Sequence, residues 1–217
     1  ENAEFVLNGD DDKLSTVTEV NGKKPIFFGL NRKNDYYAEN IQNNADSGVL
    51  ADLCFGDTKL SVKIPAIGSY MVSNALAAVA VGKLCGLNDE QLVKGVEAYK
   101  TVGSRANVIN TEDYKIIDDC YNANPVSMKA SLDVLKEAKG RKVAVLGDMG
   151  ELGTDEAALH AEVGTHAGTC GIDALYCAGP LCEHLAKAAK EADPKLEIRH
   201  FADRESLMAE LPKLLQD

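Results

Sequence analysis

The chain has 217 residues, 45% of them hydrophobic and 26% charged, enough to bury a sizeable core in one or two domains of roughly 100 to 200 residues. Its 23 Lys and Arg against 34 Asp and Glu leave a formal net charge of -11, so a cationic face for tracking nucleic acid is not expected. The longest apolar run, around residues 75–81, is far short of the roughly 20 residues of a membrane span, and no charged-then-apolar signal opens the sequence. A cytoplasmic location is expected.

The first third reads as β-rich. Short strands are predicted at residues 5–7, 26–28 and 36–41, with Asn8-Gly9 and Asn21-Gly22 as turns. Residues 49–55 and 59–64 flank Gly56-Asp57; in the second run Leu60, Val62 and Ile64 alternate with Lys59, Ser61 and Lys63, the pattern of a hairpin with one wet and one packed face. From about Ser69 the period changes. Val72, Leu76, Val79 and Leu84 follow helical spacing up to a stop near Gly86, and Asn88 with Gln91 forms a capping box for a second helix striped by Leu92, Val93 and Val96.

After a boundary near residues 100–104, strand and helix alternate. Strands are predicted at residues 115–119, 142–146, 174–178 and 197–201, followed by helices at 125–138, 155–169, 180–192 and from 203 onward. Such alternation implies α/β architecture with a parallel, doubly wound sheet. No strand follows the last helix, which closes on Leu214-Leu215-Gln216-Asp217, so an edge element supplied by a longer parent chain is expected.

Six cysteines fall at irregular spacings with no Cys-x-x-Cys pair and read as buried free thiols. His160, His166, His184 and His200 do not pair at a closed zinc-site spacing, so no structural metal is expected.

Polar residues gather at three places: Gly103-Ser104-Arg105, Asp118-Asp119-Cys120-Tyr121-Asn122-Ala123-Asn124-Pro125, and Gly147-Asp148-Met149-Gly150-Glu151-Leu152-Gly153. Open α/β sheets bind ligands at their strand ends, which suggests one shared crevice. Neighbouring strand residues point to opposite faces, so only one of Asp118 and Asp119 is expected to enter a pocket. Asn122 and Asn124 before Pro125 fit Asx turns leading into a helix, and the same geometry presents free N–H groups to an anion. Arg105 reads either as a surface arginine or as an interdomain phosphate ligand. The three glycines are spaced G-x-x-G-x-x-G, unlike a dinucleotide fingerprint, and no G-x-x-x-x-G-K-[ST] phosphate loop occurs. Nicotinamide chemistry is thereby disfavoured.

Taken with Gly68-Ser69-Tyr70-Met71-Val72-Ser73-Asn74-Ala75-Leu76-Ala77-Ala78, these motifs resemble the Mur ligases, ATP-dependent amide-bond ligases of bacterial peptidoglycan synthesis. The match is to G-x-H-N-V-x-N-A-L-A-A, to a G-R step, to D-D-x-Y-N-A-N-P, and to G-D-M-x-E-L-G followed by His160, the last pointing to the dipeptide-adding branch. Residues 1–60 match weakly, through Asn8-Gly9-Asp10-Asp11. The resemblance implies that residues 1–103 are the latter part of the central ATPase domain and 104–217 most of a Rossmann-like C-terminal domain. It further implies that the phosphate loop, magnesium ligands and carbamylated lysine precede Glu1, that a Lys-x-Ser-Arg segment follows Asp217, and that the chain alone is inactive.

By the same resemblance, Asn74 would contact the adenine of ATP, Arg105 its phosphates and Asp119 its ribose hydroxyls. Asn122, Asn124 and Ser127 would help to place the incoming dipeptide. The implied reaction joins D-alanyl-D-alanine to a UDP-N-acetylmuramoyl tripeptide through an acyl phosphate, with Mg held mostly outside this chain and a monomeric enzyme. Tyr70 and Met71 depart from the usual His and Asn, leaving the adenine contact to Asn74 alone. A Mur ligase adding a different amino acid and a non-catalytic Rossmann-like module binding a nucleotide or partner are the alternatives.

Overall fold

A computed structural model describes residues 3–44 and 48–216, and the chain divides into two compact units, Glu1–Val102 and Gly103–Asp217.

The first unit comprises strands β1 (Val6–Asn8), β2 (Ile26–Phe28), β3 (Tyr36–Asn44), β4 (Gly48–Phe55) and β5 (Thr58–Ile64), then helices α1 (Tyr70–Leu84) and α2 (Asp89–Glu97). The strands form one mixed sheet in chain order, parallel from β1 to β3 and antiparallel from β3 to β5. Parallel pairing of β1 with β2 means that the turn at Asn8-Gly9 leads away from its strand and does not close a hairpin. Asn21-Gly22 does close a tight turn: both residues have positive φ (51° and 79°), and Val20 and Lys23 bridge across it. The β4–β5 alternation is realised, with Leu60, Val62 and Ile64 buried on the face that also carries Val49, Ala51 and Leu53. Val72, Leu76 and Val79 of α1 join the same core. Asn88 and Gln91 make both bonds of the capping box that opens α2. Around Asn8-Gly9-Asp10-Asp11 the organising residue is Asn34, which is buried and donates from Nδ2 to Asp10 Oδ1 and to the Asn31 carbonyl, both at 3.0 Å.

The second unit runs β6 (Asn107–Asn110), β7 (Lys115–Asp118), α3 (Pro125–Lys136), β8 (Val143–Gly147), α4 (Glu156–Thr169), β9 (Ala174–Ala178), α5 (Cys182–Ala192), β10 (Glu197–Phe201) and α6 (Arg204–Leu214). Strands β8, β9 and β10 form a parallel sheet in the order β10-β9-β8, with α4 and α5 as its crossovers. Met128, Leu132, Val163, Leu175, Cys177 and Leu185 are among the residues of its core.

One expectation changes here. The strand ending at Asp118 does not pair with the parallel sheet; β7 pairs antiparallel with β6, a strand the sequence pattern did not reveal. The turn between them is closed by Thr111, whose N–H and hydroxyl both donate to the Tyr114 carbonyl. Local hairpin closure of this kind needs no long crossover, and it takes β7 into a ladder of its own.

All six cysteines are free; Cys54, Cys170, Cys177 and Cys182 are buried, whereas Cys85 and Cys120 are exposed. None of the helices in the described residues is long and apolar enough to cross a membrane.

Candidate functional site

The second unit joins two of the three polar segments into one constellation. At Gly103 (φ 65°) and Ala106 (φ 50°) the backbone enters the left-handed region, which for alanine is uncommon and calls for an external hold. Asp119 supplies that hold: its Oδ1 accepts from the Ala106 N–H at 2.9 Å, and its Oδ2 accepts from the Ser131 hydroxyl on α3. From the other side, the Tyr121 N–H donates to the Ser104 carbonyl at 3.0 Å. Between these two attachments sits Arg105, exposed, with its guanidinium 3.9 Å above the centre of the Tyr121 ring.

The two aspartates take different partners, with Asp118 the last residue of β7 and Asp119 just beyond it. Asp118 Oδ1 accepts from the Cys120 thiol at 3.1 Å. That bond, and a second from the Ser104 hydroxyl, hold the Asp118 carboxyl below the usual carboxylate range. Asp119, to which the resemblance gives the ribose, has both oxygens already engaged by protein donors; each retains one further lone pair for a diol.

Helix α3 starts where the sequence placed it, and its start consumes most of the nearby polar groups. Asn124 is the N-cap, accepting from the Ser127 N–H at 2.9 Å, while Ser127 Oγ accepts from the Asn124 N–H at 3.1 Å. Asn122 Oδ1 accepts from the Ala123 N–H at 2.8 Å. The amide nitrogens of both asparagines stay available as donors, whereas Ser127 is committed to the cap.

The Gly147–Gly153 segment is built differently. Asp148 turns toward the start of α5, its oxygens accepting from the Cys182 N–H at 2.8 Å and the Leu181 N–H at 3.3 Å. A side chain at Gly179 would stand 2.4 Å from the Asp148 carboxyl carbon, so only glycine fits there. His160 is completely buried: Nε2 accepts from the Met149 N–H at 2.9 Å, and Nδ1 faces the Glu156 carbonyl at 2.7 Å, which fixes the Nδ1–H tautomer. His160 thus holds the glycine-rich loop onto α4.

Asn74, in the first unit, is exposed on α1, with its Nδ2 3.5 Å from the sulfur of Met71. Its carbonyl and one amide proton are open to a base edge. Among the described residues no group of three His, Cys, Asp or Glu side chains comes together to hold a metal ion.

Ser104 and Tyr121 stand in the sequence motifs without a role of their own there, and Ser131 lies outside those motifs. Ser131 is one helical turn beyond Ser127, so the face of α3 that meets the strand end was readable once the cap was set.

Residues 104–217 match the model of the Mur ligase, glutamate ligase domain, and residues 1–82 that of the Mur ligase middle domain. The chain is 30% identical over 211 residues to the UDP-N-acetylmuramoyl-tripeptide--D-alanyl-D-alanine ligase of Bacillus subtilis (strain 168), covering 96% of this chain and 45% of the relative. It is 32% identical over 220 residues to the ligase of the same name from Escherichia coli (strain K12), covering 100% of this chain and 47% of the relative. A crystal structure of MurF from Acinetobacter baumannii superposes with a TM-score of 0.86 at 31% identity, covering 97% of this chain and 45% of that one. The chain spans about half the length of the curated relatives it matches. Family models account for residues 1–82 and 104–217, and the segments that join the Arg105 turn to the start of α3 lie within the second of these: the chain belongs to the Mur ligase family.

Proposed function

We propose that the intact protein is the ligase that joins D-alanyl-D-alanine to a UDP-N-acetylmuramoyl tripeptide in peptidoglycan synthesis, and that it works in the cytoplasm as a monomer. ATP, when bound, would supply the phosphoryl group that activates the tripeptide carboxylate as an acyl phosphate. In this reading residues 1–103 are the latter part of the central domain and 104–217 most of the C-terminal domain. Magnesium would be held mainly by residues outside this chain.

The observation that carries the reading is the Arg105 turn, fastened on both sides to the Asp118–Pro125 segment so that a guanidinium is offered outward. Arg105 would bind phosphate oxygens and offset the negative charge that develops as the acyl phosphate forms. Asn74 would meet the adenine edge, and Asp119 would accept from the ribose hydroxyls with its remaining lone pairs while keeping the Arg105 turn in shape. Asn122 and Asn124 would offer their amide protons to the dipeptide, with Ser127 holding Asn124 in place.

Phosphate release from ATP with the UDP-muramoyl tripeptide, with and without D-alanyl-D-alanine, tests this directly. It is measured on this chain and on one extended at both ends to the length of the relatives. Dipeptide-dependent release by the extended chain alone is expected; a folded extended chain that stays silent would favour a non-catalytic binding module.

A further inference from the structure

We propose that Tyr121 is a positioning residue whose ring face holds the Arg105 guanidinium flat, so that its N–H edge is presented to a polyphosphate. The inference rests on the reading of Arg105 as a phosphate ligand and names the residue through which that ligand is aimed.

The geometry is specific. The guanidinium carbon lies 3.9 Å from the ring centroid, and the Tyr121 backbone N–H donates to the carbonyl of Ser104, one residue before Arg105, which keeps the two segments side by side. Asp119 fixes the residue after it, through the Ala106 N–H. Arg105 is therefore held at three points: before it, after it and beneath it. A guanidinium that lies with its face on a ring keeps its N–H donors, which are in its plane, free for oxygens, the arrangement suited to bidentate phosphate binding. Among the described residues no carboxylate pairs with Arg105, so an incoming anion displaces no internal partner. The phenol hydroxyl is uninvolved: Tyr121 is 65% exposed and its oxygen makes no hydrogen bond among the described residues. The ring face matters here, and phenylalanine should replace it.

The test uses this chain with inorganic tripolyphosphate as probe, followed through the Arg105 Nε–H resonance and by titration calorimetry. Y121F is expected to bind within about twofold of the parent, and Y121A to bind about two- to fivefold more weakly, the size of an exposed cation–π contact. R105A should abolish the response, and Y121A should add nothing in the R105A background. Equal binding by Y121A and the parent, a loss in Y121F as large as in Y121A, or no binding by the parent would each overturn the inference. Amide spectra of each variant separate misfolding from loss of aim. The ligase reading is judged separately by phosphate release from the extended chain. There Y121A should raise the KM for ATP while Y121F leaves it unchanged; normal kinetics in Y121A would remove the positioning role and leave the ligase standing.

Discussion

Asp118 closes strand β7 and Asp119 follows it, and the two carboxylates take different partners. Asp118 is solvated and bonded by the Cys120 thiol and the Ser104 hydroxyl, both of which favour its charged form. Its contribution to stability is fully present above the ordinary aspartate value of about 3.9 and is lost as pH falls through the lower folded value. The carboxyl carbon of Asp118, followed by NMR, should titrate below that ordinary value, and C120A should move the midpoint upward; no movement would show that the thiol bond does not form in solution. Asp119 behaves as a structural member. Removing it in D119A strands the N–H of buried Ala106 in a left-handed turn, at a cost of about 1–3 kcal/mol in chemical denaturation, more than D118A should cost. Strand alternation led to the expectation that only one of the two aspartates enters a pocket, but it could not say which groups Asp119 would hold. That depends on Ala106 and Ser131, which approach only in three dimensions.

Among the elements, helices were more legible than the sheet that organises them. The capping boxes of α2 and α3 are local, so Asn88-Gln91 and Asn124-Pro125 could be read from a few residues. Strand β6, with Val108 and Ile109 between asparagines, is too short for its period to register, and without it β7 was placed in the wrong ladder. The contact between α4 and α5 was equally hidden. A side chain at Gly164 would lie 2.1 Å from the Leu185 carbonyl oxygen, and one at Gly168 would lie 2.7 Å from that of Ala189. Within a helix a glycine ordinarily lowers stability relative to alanine, so sequence alone marks these positions as weak. Here the sign reverses, because the clash is with backbone and no side chain can swing aside. G164A is expected to destabilise the second unit by about 1–3 kcal/mol, seen as a fall of several degrees in Tm, whereas alanine at exposed, contact-free Gly95 of α2 should leave stability unchanged or raise it. A stabilised G164A would mean that the two helices do not approach this closely.

At the scale of the whole chain, each unit draws its core from its own residues. The first is centred on Val49, Leu53, Ile64, Val72 and Leu76, and the second on Leu132, Val163, Leu175 and Leu185. In the sequence the hydrophobic period changes from strand to helix at about Ser69, and regular β-α alternation follows the helical pair, after residues 100–104. The second unit also closes its own polar ends. The buried Tyr176 donates to Glu197 at 2.9 Å, and Arg141 donates to the Tyr176 hydroxyl and to the Leu214 carbonyl, each at 3.0 Å, so the end of α6 is tied to the sheet. A unit with a core of its own is a candidate for folding by itself. Residues 103–217, expressed by themselves, should give a single cooperative thermal transition and retain the amide shifts that the same residues show in the full chain. The Arg105–Tyr121 stack should survive with them, since every hydrogen bond that shapes that turn comes from residues 104–131. A broad, non-cooperative transition, or collapsed amide dispersion, would show that the first hundred residues are required to complete the second core.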